Sequence, residues 1–265
     1  MSVSVHTPEA TFQVASIEMP CGAAILANVF AAWNFPVLNP WGLDTSELYQ
    51  ADDAGRIALN KPTGFEALMP VILERDHFHW RFDAVPFFHH RPADKAPALE
   101  QAVWLIRDPR DCLYSDWQRQ RGRYPRFQEY LSSNWKNTGV APATYLEQFY
   151  QGWIAAELHL QLLRVRFEDI KSDPVKAFRS IARHLKLELY GDDWDCLERH
   201  VDITNAKAAS ESLPTELKPD FELVRAGKAQ EWRSRWTSSY FENLPDSWND
   251  LIENLGYMPS PDHHN

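Results

Sequence analysis

The chain has 265 residues, long for one compact domain and short for two, which predicts one α/β domain over 1–265 with sizeable loops. Hydrophobic residues make up 44% and charged residues 24%, which excludes extended disorder and the collagen-like and low-complexity classes. A formal net charge of -10 argues against general nucleic-acid or anionic-membrane binding, but leaves room for a local basic pocket that takes a small anion.

The first ten residues have no basic n-region and no apolar h-region, so no signal peptide is expected. Residues 12–17 (FQVASI) read as a short strand, followed by a turn at Pro20, Cys21 and Gly22 and a helical run over 23–33. That helical run is too short to cross a bilayer and holds Asn28, so it reads as buried. Residues 34–76 are rich in Pro, Gly, Asp and Asn and show no regular period; loops of this kind build pockets in α/β folds. Residues 102–106 (AVWLI) form a continuous apolar run, as in a strand buried on both faces. Asp108 and Pro109 then supply an N-cap and a first helical position, with Asp111 in the first turn.

Pro142 opens an amphipathic helix in which Leu146, Phe149, Tyr150, Trp153 and Ile154 recur at helical spacing. Residues 162–167 (LLRVRF) are the next strand. Asp173 and Pro174 repeat the cap-plus-proline signal before a helix that runs to about 187, and residues 238–255 read as a final helix. Strands alternating with helices predict a mostly parallel central sheet with helices on both faces. The eleven tryptophans are expected mainly in the core and as loop anchors. Cys21, Cys112 and Cys196 are too few and too scattered for a disulfide scaffold or a zinc site, which fits a reducing, cytoplasmic compartment.

Three segments have the composition of an anion site. The turn Pro20-Cys21-Gly22-Ala23-Ala24 feeds a helix N-terminus, where backbone N–H groups and the helix dipole favour an anion. Such turns are common and most bind nothing; no Gly-Lys-Ser/Thr follows, which argues against a P-loop kinase. Arg107 ends the buried strand and Ser115 lies two turns into the next helix, a guanidinium fork and a hydroxyl suited to a phosphate. On residue types alone, the simpler arrangement for Arg107 is a carboxylate partner. Arg225, Ala226 and Gly227, with Glu231 and Trp232 after them, could wrap an anion with side chain and backbone, or be a solvated loop anchored by a tryptophan.

In this order, these segments resemble the cytosolic-type sulfotransferases, which use 3′-phosphoadenosine 5′-phosphosulfate (PAPS) as donor. VASIEMPCGAAILAN is similar to the family's strand, 5′-phosphosulfate loop and helix. VWLIRDPRDCLYS, with its Arg followed eight positions later by Ser, resembles the 3′-phosphate motif. VRFEDIKSDPVKAF, RAGKAQEWRSRWT and the terminal Leu255-Gly256-Tyr257 are similar to later family segments. The resemblance implies a P-loop-kinase-like sulfotransferase architecture and transfer of a sulfuryl group to a hydroxyl or amine of a small-molecule acceptor. It implies no metal, and leaves 3′-phosphoadenosine 5′-phosphate (PAP) as product.

Carried over by position, Arg107, Ser115 and Arg225 would hold the 3′-phosphate, with Gly227 assisting through its backbone. Phe167 would pack against the adenine, and the backbone of Cys21, Gly22, Ala23 and Ala24 would hold the 5′-phosphosulfate. The family's catalytic histidine aligns best with His90 in Phe88-His89-His90-Arg91-Pro92; His89 competes closely and His79 more weakly. His77 and His79 also have a metal-like spacing, without a third ligand at a telling position. The main departure is in the first loop, where Pro20-Cys21-Gly22-Ala23-Ala24 stands for the family's Lys-Ser-Gly-Thr-Thr. Losing one such donor costs roughly 10²–10³ in rate at a comparable electrostatic site. Lys61, Arg91 and Lys95 are candidate substitutes. A relative that binds the nucleotide without turnover is the alternative expectation.

Overall fold

Short apolar segments set the architecture. The structure, a computed structural model, describes residues 10–35, 37, 49–51, 57–59, 81, 83–202, 204–205, 207–208, 228–236, 240 and 244–258. Its strands are β1 (Phe12–Ser16), β2 (Tyr49–Ala51), β3 (Ile57–Leu59), β4 (Pro86–His89), β5 (Gln101–Ile106) and β6 (Gln161–Arg166). β2 and β3 pair as an antiparallel ribbon. The other four form one sheet in the order β4-β1-β5-β6, with every pairing parallel. β5 sits inside that sheet, and Ala102 to Ile106 are all buried, as their unbroken apolar run requires.

The helices are α1 (Ala23–Ala32), α2 (Pro109–Arg119), α3 (Phe127–Leu131), α4 (Pro142–Ala156), α5 (Phe167–Ser172), α6 (Pro174–Leu185), α7 (Gly191–Asp195), α8 (Leu197–Val201) and α9 (Trp248–Asn254). Both cap-plus-proline signals work as read. Asp108 accepts from the Arg110 N–H, and Asp173 accepts from the Lys176 N–H. Among the described residues no helix is long and apolar enough to cross a membrane.

Strand alternation places helices on both faces. Phe12 and Phe88 point to one side and pack on Phe30 of α1, with ring centroids 5.4 and 6.4 Å apart. Their neighbours in sequence point to the other side. There His89 and Trp104 pack on Trp153 of α4 at 5.9 and 6.3 Å. α6 joins the α1 face through Phe178, whose ring meets Trp33 at 5.6 Å. Trp33, Trp104, Trp135, Trp153, Trp232 and Trp248 are buried, so the core absorbs much of the tryptophan content.

Three elements differ from the sequence reading. β4 has no alternating pattern of its own; it is held as an edge strand on β1, with Pro86 at its first residue, where a missing N–H is tolerated. α5 follows β6 without a loop, and the Asp173 cap separates it from α6. The 238–255 reading is interrupted: Tyr240 is helical, but residues 246–247 form a turn, and α9 starts at Trp248, whose N–H bonds to the Pro245 carbonyl. Pro245 has no N–H to continue a helix through that point.

His89 is a buried polar member of this core. Its Nε2–H donates to Gln13 Oε1 at 2.9 Å, and its Nδ1 accepts from the Arg91 N–H. Burial, helped by the neighbouring His90 and Arg91, pushes its pKa down to about 4. The unfolded chain, at about 6.5, therefore binds a proton between pH 6.5 and 4 that the folded chain does not. Stability from this group is complete above pH 6.5 and is lost as pH falls towards 4, by roughly 3 kcal/mol in all. His89→Gln, which keeps a donor for Gln13, should flatten the acid limb of urea-unfolding free energy between pH 7 and 5. An unchanged limb would remove His89 as its source.

Candidate active site

The four parallel strands end together, so the residue after each strand lies on the carboxyl edge of the sheet. These residues are Ile17 after β1, His90 after β4, Arg107 after β5 and Phe167 after β6. From β1 the chain proceeds to β4 on one side of the sheet; from β5 it proceeds to β6 on the other. The gap between β1 and β5 is thus the topological switch point, where α/β sheets open a crevice beyond the strand ends.

Arg107 spans that gap. Its Nη1 donates to the Pro20 carbonyl at 3.0 Å and to Ser115 Oγ at 3.2 Å, and its Nη2 donates to the Lys228 carbonyl at 2.8 Å. The guanidinium lies 4.6 Å over the Phe167 ring. Arg107 is only 5% exposed, yet among the described residues it makes no ion pair and its Nε has no partner. The carboxylate that residue types alone suggested is absent among them. A buried cation held by neutral acceptors is costly unless an anion joins it. Arg107 and Ser115 thus stand hydrogen-bonded beyond the end of β5, a guanidinium and a hydroxyl whose chemistry suits an anion.

Buried carboxylates near Arg107 are committed elsewhere. Asp111 accepts from the Gln230 and Trp232 N–H groups at 2.6 and 3.0 Å, and burial pushes its pKa up to about 6 against the pull of Arg107. Asp108 accepts from Trp232 Nε1 at 3.0 Å and pairs with Arg110 at 2.8 Å. The Arg110 guanidinium in turn lies 3.7 Å over the Trp232 ring. These contacts dock residues 228–236 onto α2 and so deliver the Lys228 carbonyl to Arg107. The chain end closes the same region. Tyr257 donates to Glu168 Oε2 at 2.6 Å, while Glu168 Oε1 accepts from the Asp108 N–H at 3.2 Å.

The turn between β1 and α1 is shaped by Gly22, the N-cap of α1, at φ +97°. A Cβ at Gly22 would lie 2.5 Å from Phe167 Cδ2. Glycine is therefore required for its backbone conformation and for the approach of the Phe167 ring. Cys21 is buried, and burial pushes its thiol pKa up, so it is a packing group with no thiolate character. Phe167 itself is 3% exposed and lies between Gly22 and Arg107, a floor to the crevice.

His90 lies beside the end of β1. Its Nδ1 is 3.0 Å from the Ser16 carbonyl oxygen and 3.1 Å from Ser16 Oγ. A carbonyl only accepts, so Nδ1 carries the proton and Nε2 keeps its lone pair. Burial lowers the His90 pKa, opposed by the Ser16 carbonyl and Glu18 and assisted by Lys136. The ring is neutral at neutral pH. Both ring nitrogens of His89 are engaged in the core.

Contacts thus link Gly22, Phe167, Arg107 and Ser115 at the strand ends, with Cys21 in the same turn as Gly22 and His90 at the neighbouring strand end. Ala23 and Ala24 open α1 above them. Arg225, Gly227, His77, His79 and Lys61 lie outside the described residues, as do Ala206 and residues 209–224. Lys228, next to Gly227, is the described residue of that segment that reaches Arg107. Sequence reasoning missed Ser16, which fixes the His90 tautomer, and the docking roles of Asp108 and Asp111. Asp111 had been read only as a first-turn charge; no local pattern reports a partner more than a hundred residues away.

Comparison with known proteins bears on this geometry. Residues 90–254 match the family profile described as "Sulfotransferase domain". No curated protein sequence matches the chain. Among solved structures, mouse sulfotransferase SULT7A1 complexed with PAP aligns at TM-score 0.58 and 15% identity, over 93% of this chain and 90% of that one. Retinol dehydratase in complex with androsterone and inactive cofactor PAP aligns at TM-score 0.57 and 16% identity, over 96% and 84%. The sulfotransferase domain from the Synechococcus PCC 7002 olefin synthase aligns at TM-score 0.50 and 14% identity, over 98% and 99%. At these identities the likeness is one of fold.

Replacing Gly22 tests how tightly the turn is built. Gly22→Ala should destabilise the protein by about 2 kcal/mol or more, from the left-handed backbone and the clash with Phe167. Urea unfolding of the variant measures this; a loss below about 0.5 kcal/mol would show that the turn tolerates a side chain.

Proposed function

The chain belongs to the sulfotransferase-domain family, and we propose that it moves a sulfuryl group from PAPS to a hydroxyl or amine of a small-molecule acceptor. The observation that carries this reading is the buried Arg107 at the switch point, without an ion pair among the described residues and hydrogen-bonded to Ser115 and to the Pro20 carbonyl of the Gly22 turn. On this reading residues 1–265 act as one sulfotransferase-like domain, and the free thiols fit a cytoplasmic setting.

The residues present suit the donor. Arg107 and Ser115 hold the 3′-phosphate, exchanging their mutual hydrogen bond for bonds to phosphate oxygens, and Arg225 and Gly227 complete the grip. The backbone of Cys21 to Ala24, at the positive end of the α1 dipole, takes the 5′-phosphosulfate. Phe167 supports the adenine side of the cradle. The bound donor supplies an activated sulfuryl group, and the protein supplies position and charge. His90, protonated at Nδ1 and neutral overall, accepts at Nε2 the proton that the acceptor hydroxyl or amine releases as it attacks sulfur. His89 has no nitrogen left for that task.

A second reading, nucleotide binding without turnover, draws support from the sequence of the first loop, since residues 17–24 contain no basic side chain. Sulfur-labelled PAPS incubated with a panel of phenols, alcohols, amines and sugars separates the two. Labelled product supports transfer; PAP binding with no product from any acceptor class supports the binding protein; neither rejects both.

Two substitutions test the assignments. Arg107→Ala should weaken PAP binding in calorimetry by roughly 10–100-fold, the worth of a charge-assisted contact, with circular dichroism retained. Unchanged affinity would contradict its role. His90→Ala should lower turnover by roughly 10²-fold or more and leave PAP affinity unchanged. If His89→Ala gives that pattern instead, the base is misassigned by one residue.

A further inference from the structure

The loop that follows β1 carries no cation, and it carries one acid, Glu18. Glu18 is ion-paired with Lys136, a residue far away in sequence and placed by a tightly built segment. Trp135 is 2% exposed and donates through Nε1 to Asp116 at 2.8 Å; the Tyr130 hydroxyl donates to the same oxygen at 2.7 Å. The Trp135 N–H bonds to the Val140 carbonyl, and the Gly139 N–H to Asn134 Oδ1. Lys136, Asn137 and Gly139 all have left-handed backbone, at φ 44°, 61° and 88°. A lysine in that conformation costs energy, and persists where the surroundings impose it. The segment therefore projects Lys136 across to the β1 loop.

The ammonium reaches the same loop that holds the proposed base: Ser16 holds His90, and Glu18, two residues later, holds Lys136. The Lys136 and Glu18 side chains are 45% and 42% exposed, so their pair is worth little and is readily exchanged. Of the other cations considered from sequence, Lys61 lies outside the described residues, and Arg91 and Lys95 are exposed, as Lys136 is; Lys136 is the one of these three with an ion pair to the β1 loop among the described residues.

We infer that Lys136 is the cation of the transfer site, binding an oxygen of the sulfuryl group that the Pro20 loop leaves without a basic partner. This inference rests on the proposed function. A base must lie within hydrogen-bond reach of the acceptor, and the acceptor atom must lie about 3 Å from sulfur in an aligned attack. The sulfuryl oxygens are thus confined to the surroundings of His90, where Lys136 is held. In the transfer, the acceptor oxygen or nitrogen forms a bond to sulfur as the bond from sulfur to the phosphate oxygen breaks, and the acceptor proton goes to His90. Lys136 leaves Glu18 for the sulfuryl group and forms no covalent bond.

Calorimetry with PAP and with PAPS, and no acceptor, reads this contact directly, because the two ligands differ by the sulfuryl group. Lys136→Asn removes the charge while suiting the left-handed backbone, and Lys136→Arg retains the charge. Lys136→Asn should shift the ratio of PAPS to PAP affinity about tenfold against PAPS, with PAP affinity unchanged, and Lys136→Arg should hold the wild-type ratio. An unchanged ratio in Lys136→Asn, or an equal loss for both ligands, overturns the inference and leaves the proposed function standing. Failure of the wild-type protein to bind either ligand overturns both.

Discussion

A buried guanidinium that makes no ion pair among the described residues governs the arrangement of the site. Arg107 is held by two backbone carbonyls and one hydroxyl, drawn from the loop after β1, the segment ending near Trp232 and the helix after β5. These three acceptors are uncharged, and Asp108 and Asp111 are engaged in docking residues 228–236, with Asp111 acting on Arg107 only through its charge. A guanidinium held in this way suits an anion, and the proposed function rests on that arrangement.

The same edge separates two adjacent histidines. His89 is the last residue of β4, and strand alternation turns it into the core, against Trp153 and Gln13. His90 is the first residue beyond the strand, where the Ser16 carbonyl fixes its proton on Nδ1. One step along the chain separates an imidazole inside the core from one held at the strand ends by Ser16. The pairing of β4 with β1 sets both environments, since it brings His89 opposite Ala15 and leaves His90 beyond the ladder.

The β1 loop and the Lys136 segment illustrate how charge can be supplied across the fold. A loop with Pro20, Cys21 and Ala23 offers backbone N–H groups and little else. Trp135, fixed through Asp116, and the left-handed backbone after it bring an ammonium from a distant segment to Glu18. Such a cation is less rigidly placed than one on the loop itself, because it hangs on a flexible stem and shares a half-exposed carboxylate.

Much of the fold was legible along the chain because its signals are local. The buried run of β5, the proline caps of α2 and α6 and the helical period of α4 depend on neighbours within a few residues, and each element formed close to its expected bounds. The Arg107–Ser115 spacing, in order with Arg225 and Trp232, likewise pointed to the sulfotransferase family. β4 was illegible because an edge strand takes its conformation from the strand beside it, and the length of the last helix turned on Pro245. The sequence by itself determined which residue types stand at the strand ends and in what order. Tertiary structure alone decided that Arg107 meets the Pro20 and Lys228 carbonyls and the Ser115 hydroxyl, that His89 and His90 face different surroundings, and that Lys136 meets Glu18. Those outcomes depend on contacts between segments up to 121 residues apart, which no local propensity encodes.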